Sequence, residues 1–135
     1  MPMQKSVIAI DGTAASGKGT LARRLAAHLD YACLDTGLLY RRVAMTLMEN
    51  NQRLDDPDAA LETARLLNPD DLFNPALRSA EAGRGASIVA AMPEVRRALI
   101  DLQRNFPLRV PQRGAILDGR DIGTVIFPDA AFKFY

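Results

Sequence analysis

The glycine-rich segment Gly12–Gly17 constrains this chain most, because it separates two stretches of different hydrophobic period. Before it, Ser6–Ile10 is a short apolar run, which predicts a strand buried on both faces, as in parallel sheets. After it, leucine recurs at every fourth position from Leu21 to Leu29, which predicts an amphipathic helix over residues 17–29. The sequence therefore predicts a strand, a glycine-rich loop and a helix in that order.

The loop between that strand and that helix has the spacing of a Walker A motif, with Gly12, Gly17 and Lys18 in the required positions. Such a loop turns successive backbone amides toward phosphate oxygens, and the helix that follows adds the positive end of its dipole. Lys18 would add charge beside the terminal phosphates. The predicted phosphate-binding residues are Gly12, Thr13, Ala14, Ala15, Ser16, Gly17, Lys18, Gly19 and Thr20.

The rest of the chain alternates between short apolar runs and helical patterns. Further strands are predicted over 31–34, 114–117 and 131–135, and helices over 38–48, 59–67 and 80–91. Proline-rich residues 69–77 are predicted to form turns. A last helix is predicted to start at Pro93 and to be ended by Pro107 and Pro111, with its buried stripe formed by Val95, Leu99, Leu102 and Phe106. This alternation predicts an α/β fold with a parallel sheet flanked by helices and with ligands at the carboxyl ends of the strands.

Composition excludes several other classes of protein. The chain has 135 residues, a formal charge of +1 and one cysteine, Cys33. This length predicts one domain. A single cysteine cannot form a disulfide within the chain or a metal site built from several cysteines. The charge balance does not favour a partner such as nucleic acid or a membrane surface, and no apolar stretch approaches the roughly 20 residues of a membrane helix. We expect a cytoplasmic monomer that binds small molecules.

A second set of residues follows the second predicted strand. Thr36, Tyr40 and Arg41 bring a hydroxyl, an aromatic ring and a guanidinium to the start of a helix. Arg41 could bind a second phosphate, since its planar fork matches phosphate oxygens. The alternative is that Tyr40 packs at the edge of the hydrophobic core and that Arg41 is a solvated surface charge. The loop alone leaves ATPases, GTPases and small-molecule kinases open.

Four motifs in the same order resemble bacterial cytidylate kinases. They are Asp-Thr-Gly-x-x-Tyr-Arg from Asp35, the segment Ala86–Arg96, Gln103-Arg104-x-Phe106, and the segment Leu117–Ala130. The resemblance implies a P-loop nucleoside monophosphate kinase fold and phosphoryl transfer from ATP to CMP or dCMP with Mg²⁺. It also implies catalytic roles for Lys18, Arg41 and Arg120, and CMP binding by Thr36, Tyr40, Arg41, Ser87, Arg96, Arg120 and Asp121.

Cytosine chemistry agrees with that implied set. Cytosine presents an exocyclic amino group, which suits the carboxylate of Asp121 and the hydroxyl of Ser87, whereas its ring acceptors suit Arg96. Uracil has a carbonyl where cytosine has the amine, so a dry carboxylate at this position would discriminate against UMP. The alternatives are that residues 118–121 form a charged turn and that Ser87 is bonded to its own helix backbone.

The sequence also departs from the family pattern. Gly19 takes the place of the hydroxyl residue that usually follows the Walker lysine, so Thr20 is the candidate for Mg²⁺ only by resemblance. We expect residues 1–36 and 112–135 to form the core and 37–111 to form a helical acceptor-binding subdomain. The lid and last strand of the family are expected to be missing, so that kinase activity is weak. The alternatives are a nucleotide-binding fragment without turnover and a related UMP or AMP kinase.

Overall fold

A four-stranded parallel sheet forms the centre of the fold in the described part of the chain. The computed structural model describes residues 5–12 and 17–135, apart from the side chain of Lys18. The strands lie in the order β2-β3-β1-β4, and all neighbours are parallel. Their bounds are β1 Ser6–Asp11, β2 Ala32–Asp35, β3 Gly114–Gly119 and β4 Phe132–Phe134. The predicted α/β class with a parallel sheet is therefore confirmed.

Strand β1 lies inside the sheet because its apolar residues can be covered on both faces. Residues 7–10 are all buried, and β1 pairs with β3 from Ser6 opposite Gly114 to Asp11 opposite Gly119. Strand β3 is buried over its whole length and extends two residues beyond the predicted end at Leu117. The carboxyl ends of β1, β2 and β3 consequently lie at one edge of the sheet.

Helix α1, Lys18–Leu29, packs on this sheet through small residues. Ala22 and Ala26 are buried with Ile8, Ile10 and Ile116, while Leu25 and Leu29 lie at the margin of this cluster. Leu21, which the fourfold leucine pattern assigned to the buried face, is 50% exposed. The alanines let the helix backbone approach the sheet closely, so the leucine pattern identified the helix but misjudged its buried face.

A second group of elements is helical. It contains α2 Gly37–Glu49, α3 Pro57–Leu66 and α4 Ala80–Ala90, and α2 packs on both of the others. A Cβ atom on Gly85 would lie 2.8 Å from the Cβ of Ala44, so only glycine allows α4 to approach α2 this closely. The predicted turns of residues 69–77 are two short 3-10 turns, Pro69–Asp71 and Pro75–Arg78.

Helix α5, Pro93–Arg109, ends between Pro107 and Pro111, the two residues that were predicted to end it. Pro107 lies inside its last turn, where a proline removes only one helical hydrogen bond and the chain can continue for two residues. Of the predicted stripe, Val95, Leu99 and Phe106 are buried, and Leu102 is half-buried.

The chain divides into two compact units by its internal contacts. Residues 1–36 and 102–135 form the first unit, which contains the sheet, and residues 37–101 form the second. A short π-helical turn, Ile122–Ile126, follows β3 in the first unit. We call this segment the 122–126 turn.

Candidate functional site

The glycine-rich loop leads from β1 into the start of α1. Thr13, Ala14, Ala15 and Ser16 lie outside the described residues, as does the side chain of Lys18. Gly17 has a φ of 79°, a left-handed conformation that favours glycine, and no described atom would lie within 4 Å of a Cβ there. The amides of the first turn of α1, at Lys18, Gly19 and Thr20, have no carbonyl partner within their own helix. Backbone amides at the start of a helix are groups that can bind phosphate oxygens.

The end of β3 lies directly beside the start of this loop. The amide of Gly12 donates to the carbonyl oxygen of Gly119 at 3.1 Å, and Arg120 and Asp121 follow Gly119 in sequence. Both side chains are exposed, and within the described part of the chain neither has a hydrogen-bond or ion-pair partner. A guanidinium and a carboxylate are therefore available beside the glycine-rich loop, within the first unit.

Asp11 holds the segment that follows Arg120 and Asp121. Its carboxylate accepts the amide of Ile122 at 2.7 Å through Oδ1 and the amide of Gly123 at 2.9 Å through Oδ2. Sequence reasoning did not select Asp11. The sequence feature that could have identified Asp11 is its position between a buried strand and the first glycine of the loop. A carboxylate at such a position is either solvated or bound to backbone amides.

Arg104 holds the other end of the same turn. Its Nη2 donates to the carbonyl oxygen of Val125 at 3.1 Å and its Nε to that of Ile126 at 3.4 Å. These two bonds give Arg104 a structural role.

Thr36 lies at the end of β2 and is buried, with 5% of its surface exposed. Its hydroxyl donates to the carbonyl oxygen of Asp118 at 2.9 Å, and its own amide donates to the same oxygen at 2.9 Å. The hydroxyl proton is therefore used within the fold, so in this conformation Thr36 can offer a ligand only its lone pairs.

Tyr40 and Arg96 form a hydrogen-bonded pair in the second unit. Burial raises the pKa of the Tyr40 phenol, and the charge of Arg96 and its hydrogen bond act in the opposite direction. The Arg96 side chain is exposed. Two of the predicted CMP-binding side chains are thus in contact with each other.

Arg41 is bound to the backbone of the same unit. Its Nη1 donates to the carbonyl oxygens of Leu77 at 2.9 Å and Ser79 at 3.1 Å. The guanidinium also lies against Gly83, where a Cβ atom would come within 3.0 Å of Nη2. Part of this guanidinium therefore orders the turn before α4, which the sequence did not predict.

Ser87 is exposed on α4, and its hydroxyl donates to the carbonyl oxygen of Gly83 at 3.3 Å, one helical turn earlier. This is the backbone-bonded alternative that the sequence left open. The hydroxyl oxygen can still accept a hydrogen bond.

Over 5–12 and 17–135, no group of three or more His, Cys, Asp or Glu side chains is arranged to hold a metal ion. No helix in the same ranges is long and apolar enough to cross a membrane.

A parallel sheet in which β1 runs into a glycine-rich loop and then a helix defines the class of P-loop α/β proteins. Comparison with known proteins defines the family. The family model described as cytidylate kinase matches residues 8–135. The chain therefore belongs to the cytidylate kinase family.

Several curated relatives carry the same name. The cytidylate kinase of Methylocella silvestris is 57% identical over 129 residues, which cover 96% of this chain and 59% of that protein. The enzymes so named from Rhodospirillum rubrum and Rhodopseudomonas palustris (strain BisB18) are 55% and 53% identical, each over 96% of this chain. The chain spans about 60% of the length of these relatives.

Proposed function

We propose that this protein is an ATP-dependent phosphotransferase that phosphorylates CMP or dCMP. The observation that carries the proposal is the hydrogen bond between Gly12 and Gly119, because it joins the start of the phosphate loop to the residue before Arg120. Membership of the cytidylate kinase family supports the choice of substrate.

In this proposal, residues 12–20 bind the phosphates of ATP. Backbone amides and the positive end of α1 would receive the phosphate oxygens, and Lys18 would neutralise charge on the transferred group. Mg²⁺, when bound with ATP, would neutralise charge on the terminal phosphates, with Thr20 as the candidate protein contact.

Arg120 and Arg41 are proposed to bind the phosphate of CMP, together with Thr36 and Tyr40. The exposed guanidinium of Arg120 has no partner among the residues that the structure describes, so it can form two parallel bonds to phosphate oxygens without losing a bond to them. Phosphoryl transfer to a phosphate oxygen requires positioning and charge neutralisation more than a strong base.

Asp121 is proposed to accept the exocyclic amine of cytosine, with Ser87 and Arg96 as further contacts to the base. Support for Asp121 comes from its exposed carboxylate, which has no bonding partner in the described residues. A carboxylate facing the carbonyl of uracil would be unpaired, so binding of UMP should be weaker.

The proposal further includes that the protein is a monomer and that it acts in the cytoplasm. Its partners would be small-molecule nucleotides and not nucleic acid. The near-neutral charge balance and the single cysteine favour these choices.

Calorimetric titration of the 135-residue chain with CMP and with UMP tests the proposal. We expect the wild-type chain to bind CMP more tightly than UMP. Asp121→Ala should lower the affinity for CMP by about tenfold or more and change the affinity for UMP little. Asp129→Ala, which removes another exposed carboxylate from the same unit, is the matched control and should change neither. Equal affinity of the wild-type chain for the two nucleotides would contradict the assignment.

A further inference from the structure

Two oppositely charged side chains hold the 122–126 turn from its two ends. At the first end, both carboxylate oxygens of Asp11 accept backbone amides, at 2.7 and 2.9 Å. At the other end, Arg104 donates to the carbonyl oxygens of Val125 and Ile126. We call these four hydrogen bonds the turn clamp.

The signs of these charges match the backbone groups that they meet. A carboxylate meets amides at the start of the turn, and a guanidinium meets carbonyls at its end, so all four hydrogen bonds are charge-assisted. Bonds with a charged partner are stronger than those between neutral groups, and the two bonds to Asp11, at 2.7 and 2.9 Å, are also short. These four bonds therefore add to the hydrogen bonds that the turn forms within itself.

Asp121 needs this support because of its backbone conformation. It has a φ of 59° and a ψ of 22°, the left-handed region, which costs a non-glycine residue about 1 kcal/mol or more. Its carbonyl oxygen accepts the amides of Val125 at 2.9 Å and Ile126 at 3.1 Å, so the turn itself maintains this conformation. If the turn loosened, Asp121 would relax and its side chain would change direction.

We propose that Asp11 and Arg104 are positioning residues that aim Asp121, and with it Arg120, at the acceptor nucleotide. This inference rests on the proposed function of Asp121 and Arg120 as CMP-binding residues. Neither Asp11 nor Arg104 contacts the nucleotide in this proposal. Asp11 also directly precedes the phosphate loop, so one side chain connects the start of that loop to the acceptor-binding residues.

A merely structural clamp would behave differently from a positioning clamp. Loss of a structural contact lowers the free energy of unfolding but leaves the folded molecules with the same preference between CMP and UMP. Loss of a positioning contact changes that preference, because only the cytosine amine uses the carboxylate of Asp121. The ratio of the two affinities therefore separates the two roles.

The test uses conservative variants at both ends of the clamp. Asp11→Asn keeps the shape but leaves one acceptor oxygen for two amides, and Arg104→Gln removes the charge and one of the two bonds. We expect each to lower the CMP-to-UMP affinity ratio by about tenfold, since small misplacements of a positioning group can cost up to about a hundredfold. Asp129→Asn and Arg109→Gln, which change exposed residues of the same unit, should leave the ratio as in the wild type.

Hydrogen exchange provides a readout that does not depend on nucleotide. The amides of Ile122 and Gly123 should exchange faster in Asp11→Asn than in Asp129→Asn, because one of them loses its acceptor. Unchanged exchange at both amides overturns the clamp, whatever the chain binds.

The two proposals can fail separately. A wild-type chain that does not prefer CMP contradicts the proposed function, and with it the positioning role that depends on it. A wild-type chain that prefers CMP, with clamp variants that are folded and keep the full preference, contradicts only the positioning role.

Discussion

The side chain of Thr36 occupies the space that a side chain on Gly119 would need. A Cβ atom built on Gly119 would lie 1.9 Å from the hydroxyl oxygen of Thr36 and 3.2 Å from its Cβ. The same hydroxyl donates to the carbonyl oxygen of Asp118 at 2.9 Å. The ends of β2 and β3 are thus joined by a contact that leaves no room for a methyl group.

This contact predicts strong coupling between substitutions at the two positions. Gly119→Ala should lower the free energy of unfolding by about 1–3 kcal/mol through overpacking, and Thr36→Ala by about 1 kcal/mol through the lost hydrogen bond. The double variant should lose less than the sum, because Thr36→Ala removes the atom that the new methyl group meets. Urea unfolding of the four proteins measures this, and additive losses would contradict the predicted clash.

Arg41 is predicted to stabilise the second unit in the absence of any nucleotide. Arg41→Ala removes two hydrogen bonds to carbonyl oxygens, at Leu77 and Ser79, and should cost about 1–3 kcal/mol of unfolding free energy. Arg97→Ala changes an exposed arginine of the same unit and should cost less than about 0.5 kcal/mol. Chemical denaturation without ligand is the measurement, and equal stability of the two variants would exclude the structural role.

Cys33 is predicted to be an unreactive thiol in the folded protein. Burial, followed by the charges of Asp118 and Asp35, raises its pKa from 9.0 to about 11. Only the thiolate reacts with alkylating reagents, so the rate of labelling should rise with a midpoint near pH 11. The urea-unfolded chain should show the ordinary midpoint near 9.0. A folded-state midpoint at or below that of the unfolded chain would refute the prediction.

The raised pKa of Tyr40 predicts a loss of stability at alkaline pH. The folded protein keeps the phenolic proton at a pH where the unfolded chain has released it, so the free energy of unfolding falls as pH rises through about 10.0. Tyr40→Phe cannot lose this contribution and should show a smaller decrease over the same range. Unfolding curves at several pH values measure the difference, and parallel pH profiles would count against it.

Arg96 provides a second test of the same pair. Arg96→Met removes the charge and the hydrogen bond that favour the phenolate, so the pKa of Tyr40 should rise further. Ultraviolet titration, with Tyr40→Phe to assign the signal, follows this change. Arg97→Met, on the same helix, is the control and should leave the titration unaltered.

Sequence patterns predicted the elements that are determined by residues close together in the sequence. The apolar run of β1, the loop glycines and the leucine spacing of α1 were sufficient because burial and backbone freedom act over a few residues. The leucine spacing wrongly predicted that Leu21 is buried. The helix lies so close to the sheet that alanines fill the interface instead.

The candidate site was predictable only for residues whose place in a sequence motif also determines their location in the fold. Arg120 and Asp121 follow a buried strand, and their exposure at its carboxyl end agrees with that pattern. The bonds of Asp11 to Ile122 and Gly123 join residues more than 100 positions apart, so no local pattern encodes them. The bonds of Arg41 to Leu77 and Ser79 are likewise set by tertiary structure.

The central position of β1 also affects how the protein is made. Both neighbours of β1 in the described sheet follow it by more than 100 residues, because Ser6 pairs opposite Gly114 and Ile8 opposite Phe132. At a translation speed of about 5–20 residues per second, β1 is synthesised about 5–20 seconds before β3 and earlier still relative to β4. During that interval the apolar residues of β1 must be shielded from water by another element, such as α1, or by a chaperone, and the sheet can form around β1 only after β3 and β4 have been synthesised.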